Sequence, residues 1–230
     1  MKKLLIPLLA ILVLAPIEDV SSAFGIGVYG ASDQISVSGW SDSQLGGLVT
    51  LKGNGFDGAV GLGGFLYIDA IPFIDIEASF ESVGQEYDFQ FDNALASLDK
   101  SLLWGRLSTY VTLRRKLIGF GLPVLGGVKF YVGGGINNHN VTPRADFNML
   151  QSLMGGGLEA TFDPTDLGKK LASYVKDNRI TAKGYHAQAG VQIKLLSFNA
   201  FVNYRLTFSE DVVPDAESFS SLWVGLAFGI

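Results

Sequence analysis

Residues Leu222 to Ile230 read L-W-V-G-L-A-F-G-I. Leu222, Val224, Leu226, Phe228 and Ile230 share one face of an extended chain, and Trp223, Gly225, Ala227 and Gly229 share the other. Side chains alternate with period two along a strand, so this is a strand with one wholly apolar face. A greasy strand face at the very end of the chain is the pattern of the closing strand of a membrane β-barrel.

The other end agrees with that reading. Lys2 and Lys3 precede an apolar run from Leu4 to Leu14, and Ser21 and Ala23 are small residues spaced for cleavage. Residues 1–23 are therefore expected to be a secretory signal peptide, and 24–230 one outer-membrane barrel domain. The alternative, a membrane-anchoring helix, is opposed by the short run and by Pro7 and Pro16. The chain contains no Cys, which excludes disulfides, lipoprotein processing and Cys-based metal or redox chemistry. A net charge of −5 gives no electrostatic case for nucleic acid. Mean hydropathy is +0.30, yet no apolar run after residue 23 is long enough for a spanning helix. The hydrophobicity is carried as alternation.

Seven further alternating segments precede the last, at about 24–31, 58–69, 72–82, 105–116, 125–136, 183–194 and 197–208. The clearest sets Ile74, Ile76, Ala78 and Phe80 against Asp75, Glu77, Ser79 and Glu81. Eight strands is an even number, as single-chain bacterial barrels have. Connections alternate as well. Ala70–Ile71, 117–124 and Leu195–Leu196 are short, whereas 32–57, 83–104, 137–182 and 209–219 are long or polar. That asymmetry separates a periplasmic from an exterior side and puts both termini in the periplasm. Gly46–Lys52 is a candidate extra strand above the first hairpin. Helices are expected in the loops: one capped by Asp92 and running through Leu103, one around Phe147, Leu150, Leu153 and Met154, and one behind Asp163-Pro164-Thr165-Asp166 with Leu167, Leu171, Tyr174 and Val175 in a stripe. These helices are expected over the barrel mouth.

In a soluble lipocalin-like barrel the apolar set would point inward. Lipid reverses this. Three features favour lipid: the Gly, Ala and Ser of the other face, the loop asymmetry, and aromatics near strand ends (Phe73, Phe80, Tyr185, Phe198, Phe208 and Phe228). The expected fold is an all-β, eight-stranded, antiparallel up-and-down transmembrane barrel with short helices in its outer loops. Its lumen then carries Asp75, Glu77, Glu81, Arg106, Arg114, Lys129, His186, Lys194 and Arg205. Glu81 with Arg106, and Asp75 or Glu77 with Arg114, fit one antiparallel register to within about two residues, so ion pairs are expected there. The inward Tyr29, Phe65, Tyr110, Tyr131, Phe201 and Trp223 are candidates to fill the space left by inward glycines.

The simplest reading of these charges is a plugged, salt-bridged interior. The sharper one is a polar conduit or a small pocket. Catalysis requires a base within reach of a nucleophile, and the chain has only His139 and His186. His139, in Asn137-Asn138-His139-Asn140, is expected to be a solvated loop residue, and His186 a luminal hydrogen-bonder. Gly61-Leu62-Gly63-Gly64 and Gly133-Gly134-Gly135 open no helix and so are not phosphate loops. Helix capping explains Asp163 and Asp166 better than calcium does. No catalytic, cofactor or metal residue is expected.

The whole pattern resembles the small outer-membrane barrels: the OmpA transmembrane domain, the OmpX/Ail adhesion-type proteins and the OmpW family. Ile230 stands where that group's assembly signal usually has an aromatic residue. Lipid A deacylases of the membrane place His and Ser two residues apart on a lipid-facing strand; here Gln188 follows His186, on the inward face. The resemblance implies a non-enzymatic outer-membrane scaffold whose loops meet external, surface or host partners. Lipids, lipopolysaccharide and the barrel-assembly machinery are its implied membrane partners. A narrow, porin-like pore or carrier for a small hydrophobic molecule is the second reading, as the OmpW likeness implies. A lipid-modifying enzyme is the third.

Overall fold

Alternation carries the strands well beyond the limits read from composition. The computed structural model describes residues 24–69, 74–95, 97–122, 126–154 and 166–229. The strands are β1 (Phe24–Val37), β2 (Trp40–Gln44), β3 (Val49–Gly53), β4 (Phe56–Ile68), β5 (Asp75–Asp92), β6 (Ser97–Leu122), β7 (Gly126–Val141), β8 (Ile180–Leu195), β9 (Phe198–Val213) and β10 (Ala216–Gly229). Helices α1 (Phe147–Met154) and α2 (Leu167–Asp177) lie between β7 and β8. The expected signal segment 1–23, the expected turn at Ala70–Ile71, Phe73, Asp163–Thr165 and Ile230 lie outside the described residues.

Eight strands close a ring in the order β1-β4-β5-β6-β7-β8-β9-β10, every neighbouring pair antiparallel. Strand β1 joins β10 with Gly25 opposite Gly229 and Trp223 opposite Ala31, so the ring has no open edge. The β2–β3 hairpin adds to β5 above the ring, Leu51 pairing with Phe91. Strand β3 overlaps the extra strand expected at Gly46–Lys52, whereas β2 was not anticipated.

The pairing fixes what each face meets. On β5, Asp75, Glu77, Ser79 and Glu81 are buried within the tube, while Phe80 is 51% exposed outside. The pattern holds around the ring: Ile26, Val28, Leu62, Val111, Tyr185, Phe198, Val224 and Leu226 form an outward apolar belt. On β8 and β9 this belt runs from Tyr185 to Leu195 and from Phe198 to Phe208. Strands of that length, tilted by about 40°, rise roughly 25 Å, the height of a barrel's lipid-facing band. Tyr185 lies opposite Phe208 at its upper edge. Phe198 packs edge-on against Phe228 at its lower edge, with ring centroids 5.8 Å apart.

Above the belt the amphipathic pattern inverts without any change of parity. Further along β5, Val83, Tyr87, Phe89 and Phe91 point inward and Glu86, Asp88 and Gln90 outward. On β6, Leu102 and Trp104 face in, above Arg106 and Ser108. The inner surface thus changes from charged to apolar as the sheet leaves the belt. The apolar part forms a second core with Val37, Val49, Leu51 and Phe56. Helix α1 seats Met149, Leu150 and Leu153 in it, all nearly inaccessible. Asp146 caps α1 by accepting from the Met149 amide at 2.7 Å, and the Tyr87 hydroxyl accepts from the Ala145 amide at 2.9 Å. Leu167, Leu171 and Tyr174 of α2 pack on the same core.

Three expectations change. Residues 83–104 are not a helical loop: Asp92 ends β5, and Ser97 already begins β6, opposite it. The outward charges there give a loop-like composition, but strand alternation persists beneath it. Residues 209–219 are likewise mostly strand, turning between Val213 and Ala216, with a register shift between Ala216 and Ser218. Helix α2 begins at Leu167 with Asp166 before it, and the Asp166 side chain makes no cap bond.

Candidate functional site

Inward residues of seven strands, together with Asp69 just after β4, build one connected polar network through the lumen. At the lower end, Arg114 meets Glu77 at 3.1 Å and Asp69 at 2.9 Å. Lys129 bridges Asp69 at 2.9 Å and Asp75 at 3.0 Å. Asp75 lies directly opposite Arg114 in the β5–β6 register, yet its carboxylate turns to Lys129. In the middle, Arg205 contacts Glu81 at 3.3 Å and Gln188 at 3.3 Å, and its guanidinium lies 3.8 Å from the Tyr110 ring centre. Gln188 in turn donates to Glu77 at 3.2 Å. At the upper end, Arg106 grips Asp33 at 2.7 Å and Glu81 at 2.6 Å, while Ser221 donates to Asp33 at 2.6 Å. Tyr29 and Tyr110 donate to the two oxygens of Glu81 at 2.9 and 3.1 Å.

Arg106, Arg114, Arg205, Glu77 and Glu81 are all 0–1% exposed. Charges so deep in a low-dielectric interior persist only when paired and hydrogen-bonded, and these are. Of the residues expected in the lumen, His186 bonds, among the described residues, only to Thr112 beside the network, and Lys194 stays outside it altogether. It has inward parity opposite Gly127, is half-buried, and makes no ion pair among the described residues. Asp33 and Asp69 belong to the network and were not anticipated. Both continue a visible alternation, Asp33 after Tyr29 and Ala31, Asp69 after Phe65 and Tyr67.

Aromatic rings fill the remaining width. Trp223 packs 4.7 Å from Tyr29 and 5.3 Å from Phe65, and Phe65 packs 5.1 Å from Phe201, centre to centre. Glycine makes this possible across the wall: a Cβ at Gly63 would strike the Tyr29 ring, and one at Gly25 the Tyr67 ring. The lumen is packed with side chains, as an eight-stranded barrel of this kind permits. The apolar core under α1 lies directly above.

His139 is the main correction at this site. It is not a solvated loop residue but lies in β7 with 0% exposure, because Asn137 and His139 continue the inward parity of Lys129 and Tyr131. Its Nδ1 is 2.7 Å from Ser108 Oγ, and its Nε2 is 3.0 Å from Asn137 Oδ1. With the proton on Nε2, Ser108 donates to the imidazole and the imidazole donates to the amide. Hydroxyl, imidazole and amide are in the reach that an activated nucleophile needs. The surroundings oppose that use. Ser108 is 1% exposed, its oxygen also accepts from Arg106 Nη1, and Phe219 covers the imidazole at 6.0 Å. His186 is buried and shares a 2.8 Å hydrogen bond with Thr112.

Outside the membrane belt, α2 is tied to α1 by Tyr174, whose hydroxyl donates to Asp146 at 3.3 Å, and by Lys170, which donates to the Leu153 carbonyl at 3.2 Å. Burial, then the charge of Asp146, raises the Tyr174 pKa. Among the described residues no group of three or more His, Asp or Glu side chains is placed to hold a metal ion.

No protein-family model and no curated protein matches the chain. Several solved structures share its strand arrangement at a distance. The N-terminal barrel domain of Pseudomonas aeruginosa OprF is 13% identical, covering 89% of this chain and 96% of that one, with a TM-score of 0.40. Neisserial surface protein A is 13% identical over 91% and 98%, at 0.45. The Yersinia pestis attachment invasion locus protein Ail is 9% identical over 91% and 100%, at 0.42. Likeness this distant decides nothing about activity; the barrel assignment rests on the closed ring itself.

Proposed function

We propose that this protein is an integral outer-membrane barrel that acts as a sealed, non-enzymatic scaffold and carries an ordered exterior cap for contact with partners. The observation that carries the reading is the inversion along β5 and β6. Where the outer wall is apolar the inner wall is charged, and where the outer wall becomes polar the inner wall becomes an apolar core. Only a tube standing in lipid with its upper part in water needs both. A secretory leader in residues 1–23 is part of the proposal, with the chain ends on the short-turn side.

The packed lumen favours a scaffold over a pore or carrier. Continuous passage would require Arg106, Arg205 and Trp223 to leave partners they bury completely. The sealed Ser108 and His139 favour hydrogen bonding within the wall over lipid-modifying chemistry. The experiment is to refold the protein into planar bilayers and record single channels. Heat-modifiable barrel mobility with no steady conductance is expected. A reproducible open level would overturn the scaffold in favour of the pore.

A further inference from the structure

Helix α2 does not lie wholly over the mouth. Its C-terminal end overhangs the outside of the wall and roofs a groove of about 620 Å³. The floor is small: Gly84 of β5 lies directly opposite Gly105 of β6, and both line the groove. Its sides are Leu62 and Leu107, outward residues that are 74% and 46% exposed and belong to the apolar belt. At its upper rim are Lys176 and Arg179, both exposed. Neither makes an ion pair among the described residues; the adjacent Asp177 is engaged by Ser173 at 3.3 Å. The groove sits where the belt gives way to the polar upper wall, at headgroup depth.

The geometry points to a binding site for one anionic, phosphate-headed lipid of the outer leaflet, its chain lying on Gly84 and Gly105 and its phosphate between Lys176 and Arg179. This rests on the membrane reading above and adds to it a particular lipid site. The occupant follows from two independent features. Apolar sides continuous with the belt accept an acyl chain, and two exposed cations at the rim select negative charge. The volume is within the ~300–1,000 Å³ of small-ligand clefts.

The test refolds the protein into phosphatidylcholine vesicles containing phosphatidylglycerol of the same chains, extracts it in mild detergent and counts retained lipids by native mass spectrometry. One phosphatidylglycerol is expected to be retained in preference to phosphatidylcholine, by roughly 30-fold for two interfacial cations. Lys176→Glu with Arg179→Glu should abolish the preference. Gly105→Phe, which fills the floor while keeping both charges, should reduce retention; a Cβ there meets nothing nearer than 3.6 Å, so the wall tolerates it. Reversing two other exposed cations, Lys52→Glu and Lys100→Glu, should change nothing. Equal retention of both lipids, an unchanged preference in the charge-reversal variant, unchanged retention in Gly105→Phe, or an equal loss in the control overturns the site. So does competition by glycerol phosphate as effective as by the lipid, which would mean a phosphate site without a chain. Failure of the protein to insert at all would sink the membrane reading itself; insertion without preference sinks only the lipid site.

Discussion

Arg106 shows what a single buried cation does here. Two carboxylates, a serine and a tyrosine converge on it, and no water-accessible surface remains. Removing one partner of such a cluster strands the others. Arg106→Met is therefore expected to destabilise the folded barrel by about 3–5 kcal/mol, read by urea unfolding in vesicles. Adding Asp33→Asn should recover about 0.5–3 kcal/mol of that, since the two residues act together. Ser108 gives the complementary prediction. Treated with a fluorophosphonate, the folded protein should remain unlabelled, and labelling at Ser108 would reopen the catalytic reading. The parts of this network that lie inside strongly alternating segments are legible from sequence, as Glu81, Arg106 and Arg205 show. Asp33 and His139 sit just past the points where polar composition suggests that strands have ended, and Asp69 sits at the last position of its segment. Composition reports solvent, whereas parity reports direction, and only parity remained informative there.

Strands β5 and β6 carry the same lesson at the next scale. Their lower halves read plainly because outward apolar and inward charged residues alternate, with Ile76, Ala78 and Phe80 set against Asp75, Glu77 and Glu81. Their upper halves, Gln85–Asp92 and Ser97–Trp104, alternate with the sense reversed, interrupted on β6 by exposed Lys100 and Leu103, which removes the greasy stripe that announces a lipid-facing strand. The expectation here is a helix capped by Asp92 and running through Leu103. Tertiary pairing decided otherwise, with Asp88 opposite Ser101 and a hydrogen bond of 2.7 Å between them. The same boundary sets opposite tolerances on neighbouring stretches of one hairpin. Val111→Arg, within the belt, should cost about 2–4 kcal/mol of membrane stability. Gln90→Arg, outward but above the belt, should stay within about 0.5 kcal/mol of the parent. Equal effects at the two positions would show that the belt does not end where the inversion puts it.

Taken whole, the molecule has two interiors stacked on one axis: a salt-bridged, aromatic lumen and an oily chamber closed by α1. They need opposite surroundings, and the lower can be complete while the upper is not. Trp223 belongs to the lower and Trp104 to the upper, both almost fully enclosed. In single-tryptophan variants refolding into vesicles, Trp223 is expected to escape an aqueous quencher before Trp104 does; simultaneous protection would contradict that order. The reason lies in the ends of β5 and β6. With the capped end outside, as proposed, Glu86, Asp88, Asp99 and Lys100 must cross the hydrocarbon layer before the hairpin and helix cover their strands. The lid is then the last part to condense, and every newly made copy passes through an interval when the tube stands uncovered from the outside.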